Sequence, residues 1–289
     1  MSLLAFRRPI ATALATTAII FTTAACGSSP SASTDATGDS APVDAAAPLT
    51  ILASPVPHLE ILEHLDEIND SFTLDIKTVT DVSAANMAVA DGSVDANFFQ
   101  HVPYLRDWEA QTGKQLVNLA SVHLEPTSMY SEKITSADQI PDGADIVVPS
   151  SPSNLARGLL LLEKNGLITL DADLDPEAVT SIDLLSIKDN PRNLNIVPVE
   201  DLMVLQSIRD NNVYGVIAAS SLALESGYDP VDDAVLSESP ENNPYVNVFV
   251  ASQESAVDPR VKDVAEALQS NQAAEWIREE YGNAVLPVN

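Results

Sequence analysis

From residue 49 onward, short apolar runs of strand length alternate with stretches of helical periodicity. This alternation limits the chain to an α/β architecture more tightly than any other feature of the sequence. Residues 49–53 read as a buried strand, and 58–65 follow with Leu59, Leu62 and Leu65 on one helical stripe. Residues 72–79 alternate like a strand, 83–90 look helical, and 94–98 form a short strand. Further strands are expected at 116–124, 146–148, 194–199, 214–218 and 245–250, which predicts largely parallel sheets. No repeat of solenoid period is present.

Two turn-rich interruptions suggest two lobes rather than one. Residues 126–131 precede a stretch ending Ile140-Pro141-Asp142-Gly143, and residues 237–244 precede the strand expected at 245. Two such breaks let the chain enter a second lobe and return; the alternative is one large sheet with insertions. Ligands of open α/β sheets lie beyond the carboxyl ends of the strands, so the segments that follow strands carry the most functional information.

Two of these segments stand out. Asn97-Phe98-Phe99-Gln100-His101 leaves the strand expected at 94–98, and Tyr104 and Trp108 follow closely in a chain that is only 5% aromatic. Ser150-Ser151-Pro152-Ser153-Asn154-Leu155-Ala156-Arg157 leaves another strand and enters a helix that ends near Asn165-Gly166. Ser151 or Ser153 can cap that helix, Pro152 suits its first turn and Gly166 its stop. Its free N–H groups and dipole favour an anion, and Arg157 adds a planar fork suited to a carboxylate. Arg157 can equally pair with one of the 42 acids of the chain, which has only 14 Lys and Arg. Together the two segments suggest a small zwitterion held at both ends, with aromatic rings around an apolar or thioether side chain. Phe98 and Phe99 can also be plain strand residues that alternate between core and surface.

The amino terminus reads as an export signal. Arg7 and Arg8 precede an uncharged apolar stretch, and Thr23-Ala24-Ala25 are small residues just before Cys26. Cys26 is the only cysteine, so no intramolecular disulfide is available. Its position resembles the lipobox of bacterial lipoproteins, in which the thiol is lipidated; Leu is usual where Thr23 stands. Acyl chains on Cys26 would anchor the protein to the cell membrane at its extracytoplasmic face without a spanning helix. Residues 1–25 are thus expected to be signal peptide, and 26–47 a lipidated, disordered tether poor in large apolar residues. The net charge of −28 disfavours nucleic acid as a partner.

The run Asp91-Gly-Ser-Val-Asp-Ala-Asn-Phe-Phe-Gln-His-Val-Pro-Tyr-Leu105 closely resembles a motif of the NlpA lipoprotein family. So do Val122-His-Leu-Glu-Pro126, Pro141-Asp-Gly-Ala144, Pro152-Ser-Asn-Leu-Ala-Arg157, Asn190-Pro-Arg-Asn-Leu194 and Asn243-Pro-Tyr245, in the same order. Members of that family are methionine-binding lipoproteins that serve ABC importers. The resemblance implies a two-lobed, periplasmic-binding-protein-like α/β fold with the ligand in the interlobe cleft. Lobe 1 would comprise 48–128 plus 245–289, and lobe 2 would comprise 129–244. Carried over by motif, Phe98, Phe99, His101 and Tyr104 would surround the methionine side chain, while Asn154 and Arg157 would meet the carboxylate. The implied partners are an amino acid, an ABC permease and its ATPase; the binding protein itself is expected to be a monomer without cofactor.

The departures from the family concern specificity. Where members often carry an aromatic ring, this chain has Val82. Where their strand continues into an Asn that helps hold the ligand's amino group, it has Ala218-Ala219-Ser220, and Glu200-Asp201-Leu202-Met203 lacks a Gln usual nearby. The carboxylate end is therefore expected to be intact and the ammonium end rewritten. Loss of one hydrogen bond to a charged group costs about 1.5 to 3 kcal/mol, enough to weaken methionine or favour a different amino acid or a short peptide.

Two rival readings differ in class. His58, His101, His123 and Glu125 supply the donor types of a transition-metal site, although their spacing gives no sign of convergence. An exported enzyme is disfavoured, because G-x-S-x-G, H-E-x-x-H, P-loop and G-x-G-x-x-G motifs are all missing.

Overall fold

A computed structural model describes residues 47–171 and 181–288. The expected signal peptide, Cys26 and the tether up to residue 46 lie outside the described residues. The first part of the chain builds β1 (Leu49–Ala53), α1 (Glu60–Ile68), β2 (Leu74–Thr78), α2 (Val82–Ala90), β3 (Ala96–His101), α3 (Val102–Thr112) and β4 (Val117–Leu124). There follow β5 (Thr127–Tyr130), β6 (Asp145–Pro149), α4 (Pro152–Lys164), β7 (Thr169–Leu170), β8 (Ile187–Asp189), β9 (Asn195–Val199), β10 (Val213–Ala219), α5 (Ser220–Glu225) and β11 (Ala234–Ser237). The chain ends with β12 (Val246–Ala251), α6 (Pro259–Leu268), α7 (Asn271–Tyr281) and β13 (Leu286–Pro287).

These strands form two main sheets. One has six strands in the order β13-β4-β12-β3-β1-β2, and the other has five in the order β11-β5-β10-β6-β9. The chain passes between them twice, through Glu125-Pro126 and through residues 238–245. Neither sheet is largely parallel. β1 pairs in parallel with β2 and β3, and β6 with β9 and β10, but β4, β5, β11, β12 and β13 all join antiparallel. The sequence reading also passed over β5, whose four residues stand directly after Pro126 at the crossing.

Both sheets are covered on two faces, and the two-residue period of a strand explains how. In β12, Phe249 and Ala251 join the core under α1, α6 and α7, while Val248 and Val250 join Leu105 and Trp108 of α3 on the opposite face. In β6, Ile146 and Val148 meet Ala156, Leu159 and Leu162 of α4, while Val147 faces Val204 and Leu205. Full burial of each such aliphatic side chain contributes about 1.5 to 3 kcal/mol. The helix α4 starts with Pro152 in its first turn and ends where Gly166 takes a left-handed φ of 70°, a conformation that costs glycine little. On the six-stranded sheet, α2 is fastened to β3 by buried amides. Asn86 Nδ2 donates to Gln100 Oε1 at 2.8 Å, Asn97 Nδ2 donates to Asn86 Oδ1 at 2.9 Å, and Gln100 Nε2 donates to Asn97 Oδ1 at 3.0 Å. Among the described residues no helix is long and apolar enough to cross a membrane.

Candidate functional site

A cavity of about 150 Å³ lies between the carboxyl ends of β1 and β3 on one side and those of β6 and β10 on the other. A single water needs roughly 10–15 Å³ on this measure, so the space suits a small organic molecule. Its wall on the six-stranded sheet includes Val82, Phe99, His101 and Tyr104, and its opposite wall includes Asn154, Arg157, Asp201 and Ala218-Ala219. Five of the six ligand-contact residues expected from sequence therefore line one cavity.

Phe98 departs from the expectation. It is fully buried in the core of the six-stranded sheet, edge-on to His58 at 4.6 Å and to Phe249 at 6.4 Å. Strand alternation is the reason: β3 reaches to His101, so Phe98 and Phe99 sit on opposite faces and only Phe99 turns to the cavity. The Phe99 ring meets Tyr104 edge-on at 6.0 Å.

His101 ends β3 and caps α3, its Nδ1 accepting from the Tyr104 N–H at 3.1 Å. That leaves Nε2–H to donate to Asn154 Oδ1 at 2.8 Å, a bond between the two walls. Burial, reinforced by the positive charge of Arg157, lowers the His101 pKa to about 4, so the ring is neutral near pH 7. Asn154 in turn donates from Nδ2 to Asp201 Oδ2 at 2.8 Å. Burial, with the charge of Asp201 beside it, pushes the Tyr104 hydroxyl up to about 12.

A carboxylate of the chain itself is seated at the turn that leads into α4. Asp201 Oδ1 accepts from the backbone N–H groups of Ser150 and Ser151, both at 3.0 Å, and its Oδ2 accepts from the Ser151 hydroxyl. Ser151 is the N-cap residue, yet its side chain makes no cap bond because the hydroxyl is committed to Asp201. Arg157 is likewise engaged. Its Nε donates to Glu238 Oε2 at 3.0 Å, its Nη2 donates to Glu238 Oε1 and, at 2.8 Å, to the carbonyl oxygen of Glu125, and its guanidinium lies 4.3 Å from the Tyr245 ring. The ion pair allowed by the sequence is thus present on a residue that also lines the cavity.

The spacing of the histidines gave no sign of convergence, but the fold brings three of the four metal-type donors together. His58 Nε2 lies 3.3 Å and His123 Nε2 2.9 Å from Glu125 Oε1, all three residues being buried, while His101 is occupied with Asn154. Hydrogen bonds already account for most of this cluster. Ser54 donates to His58 Nδ1 at 2.8 Å, and His58 Nε2 also reaches Asn247 Oδ1 at 3.1 Å. His123 Nδ1 is buried with no partner, so that ring lacks the outer acceptor that ordinarily orients a metal-ligating histidine. Burial lowers the His58 pKa to about 4. Burial also opposes ionisation of Glu125, but the neighbouring imidazoles and the Ser221 hydroxyl outweigh it and hold the carboxyl at about 2.

The model of the NlpA lipoprotein family matches residues 49–289. The chain belongs to the NlpA lipoprotein family. Among relatives of this NlpA lipoprotein is the methionine-binding lipoprotein MetQ of Bacillus subtilis, 34% identical over 83% of this chain and 88% of the relative. A solved ABC transporter periplasmic substrate-binding protein from Coxiella burnetii is 33% identical with a TM-score of 0.76, covering 83% of this chain and all of that one. A nutrient-binding protein from Burkholderia cenocepacia, solved bound to methionine, is 27% identical with a TM-score of 0.78 over 83% of this chain and 100% of its own. The fold of this NlpA lipoprotein is therefore the two-lobed fold of substrate-binding proteins. Sequence reading missed Asp201 and Asn247 as lining of its cavity, and Glu238 as the partner of Arg157. Each lies at least 47 residues from the segment it serves, and nothing local announces such a partner.

Proposed function

We propose that this NlpA lipoprotein is the extracytoplasmic substrate-binding component of an ABC importer, taking up methionine or a closely related amino acid and delivering it to a membrane permease. The single observation behind this reading is the pairing, across one cavity, of the Phe99, His101 and Tyr104 wall with Asn154 and Arg157. The thioether side chain would lie against the rings, and the carboxylate against Asn154 and the remaining edge of Arg157. At the ammonium end, Glu125, Ser221 and Asn247 stand near Ala218-Ala219, where family members have an Asn. Phe98 would support this wall from the core. Relatives named for methionine binding, and one solved with methionine, support the ligand class.

The lobes would be 48–128 plus 245–289 and 129–244, adjusted so that β5 from Thr127 belongs to the second. Binding would proceed by closure of the lobes around the ligand, without turnover, the energy for transport coming from the partner ATPase. A monomer held to the membrane by lipidated Cys26 fits this role.

Mass spectrometry of the ligand released on unfolding the purified protein, followed by calorimetry with a panel of amino acids, tests the reading. Methionine is the expected find. A stoichiometric transition metal that a chelator removes would instead select the His58–His123–Glu125 cluster as the functional centre.

A further inference from the structure

We propose that Glu238 determines specificity in the cavity: by engaging Arg157, it lets the site accept a carboxylate only from a molecule that also carries an ammonium group. The inference rests on the amino-acid reading above and narrows it to zwitterions.

Arg157 is 3% exposed and is the one Lys or Arg on the cavity wall among the described residues. A buried guanidinium with no counter-ion would draw in any small anion of the surroundings. Here Glu238 takes two of its nitrogens, Nε at 3.0 Å and Nη2, and the Glu125 carbonyl takes Nη2 again at 2.8 Å. Nη1 makes none of these contacts and would be the edge offered to a ligand. Glu238 is itself pinned at the point where the chain crosses between the sheets. Its Oε1 accepts from the Thr127 N–H at 3.0 Å, and its own N–H donates to the Thr127 carbonyl at 3.0 Å.

With Arg157 neutralised, the charges left on the wall are the carboxylates of Glu125, Asp201 and Glu225. His101 adds no positive charge near pH 7, since burial and Arg157 keep its pKa near 4. A bare carboxylate entering this space loses its hydration and gains no net positive field. A zwitterion brings its own cation to the carboxylates and its own anion to Nη1, so both charges are met.

Calorimetry of wild type, Glu238→Gln and Glu238→Asp tests this, using methionine, its desamino analogue methylthiobutanoate and its decarboxylated amine, with melting temperatures recorded alongside. Wild type should prefer methionine over the desamino analogue by about 100-fold or more, two charge-assisted contacts being at stake. Glu238→Gln keeps an acceptor for Arg157 but removes the charge, and should shrink that preference at least about 10-fold, chiefly by tightening the desamino analogue. Glu238→Asp keeps the charge with looser geometry and should retain the preference. Equal weakening of both ligands in Glu238→Gln would reduce Glu238 to a support and overturn the proposal, as would loss of the preference in Glu238→Asp. Wild type binding the desamino analogue as tightly as methionine would overturn it while leaving the cavity a site for thioether carboxylates. Wild type binding none of the three would overturn the methionine reading itself, and this inference with it.

Discussion

The two strand-to-helix junctions that form the cavity are built in opposite ways. After β3, His101 caps α3 through a bond to Tyr104, three residues on, and its ring lies edge-on to those of Tyr104 and Tyr245. After β6, the turn into α4 is held by Asp201, fifty residues away, and the Arg157 of that helix is paired by Glu238, eighty-one residues away. The first junction is self-contained, whereas the second is held by charges that other parts of the chain bring to it. A single hydrogen bond, His101 to Asn154 at 2.8 Å, joins them. One wall can therefore supply shape and the other charge, and a change in one wall should be separable from a change in the other.

The largest expected effect separates Phe98 from Phe99 within the first junction. Phe98→Ala should cost about 3 to 5 kcal/mol of stability, as a large ring lost from a full core, while Phe99→Ala should lower methionine affinity with a much smaller change in melting temperature. Chemical denaturation and calorimetry on the two variants check this, and equal losses of stability would erase the distinction. In acid, the neutral wall should weaken first. His101 has a folded pKa near 4 against an unfolded value of about 6.5. Its contribution is therefore complete above pH 6.5 and declines as pH falls from 6.5 to 4, where only the unfolded state takes up the proton. That decline amounts to as much as about 3 kcal/mol, and buried His58 acts in the same direction and over the same window. Melting curves across this window should flatten in His101→Gln; an unchanged slope would exclude His101 as a source.

The charged wall is best probed with its pair removed as a unit. Arg157→Ala alone leaves the half-buried Glu238 carboxylate without its ion-pair partner and should lower the melting temperature. Arg157→Met combined with Glu238→Gln should keep a melting temperature closer to wild type and lose methionine binding about 100-fold or more, and intact affinity in that variant would remove Arg157 from the site. The smallest effect is expected at Asp201. Asp201→Ala leaves the Ser150 and Ser151 N–H groups and Asn154 without their acceptor, costing about 1 to 3 kcal/mol, and should loosen α4 while leaving the His101 cap in place. Hydrogen exchange confined to the start of α4 would confirm that the junctions are independent; exchange spreading to α3 would show them coupled through Asn154.

Much of this was legible beforehand because it is local. Strand and helix periods, Pro152 at a helix start, Gly166 at its end and rings clustered after a strand are all relations among near neighbours, and five of the six residues expected from the ordered family motifs line one cavity. Phe98 was misplaced because a strand read as ending at residue 98 runs to His101, and the face that each ring occupies follows from a register which composition does not reveal. Mixed rather than parallel sheets escaped the reading for a related reason, since pairing direction depends on where the chain crosses, and β5 sits unannounced at that crossing.

By itself the sequence determined the alternation of elements, the family and the residue types that a zwitterion needs. Only the tertiary structure decided how those residues are spent: Asn97 and Gln100 fasten a helix, His58, His123 and Glu125 share a buried cluster, and Arg157 arrives already paired. The physical reason is that a period along the chain specifies which face a side chain takes, whereas its electrostatic partner is set by which distant strand the fold lays beside it.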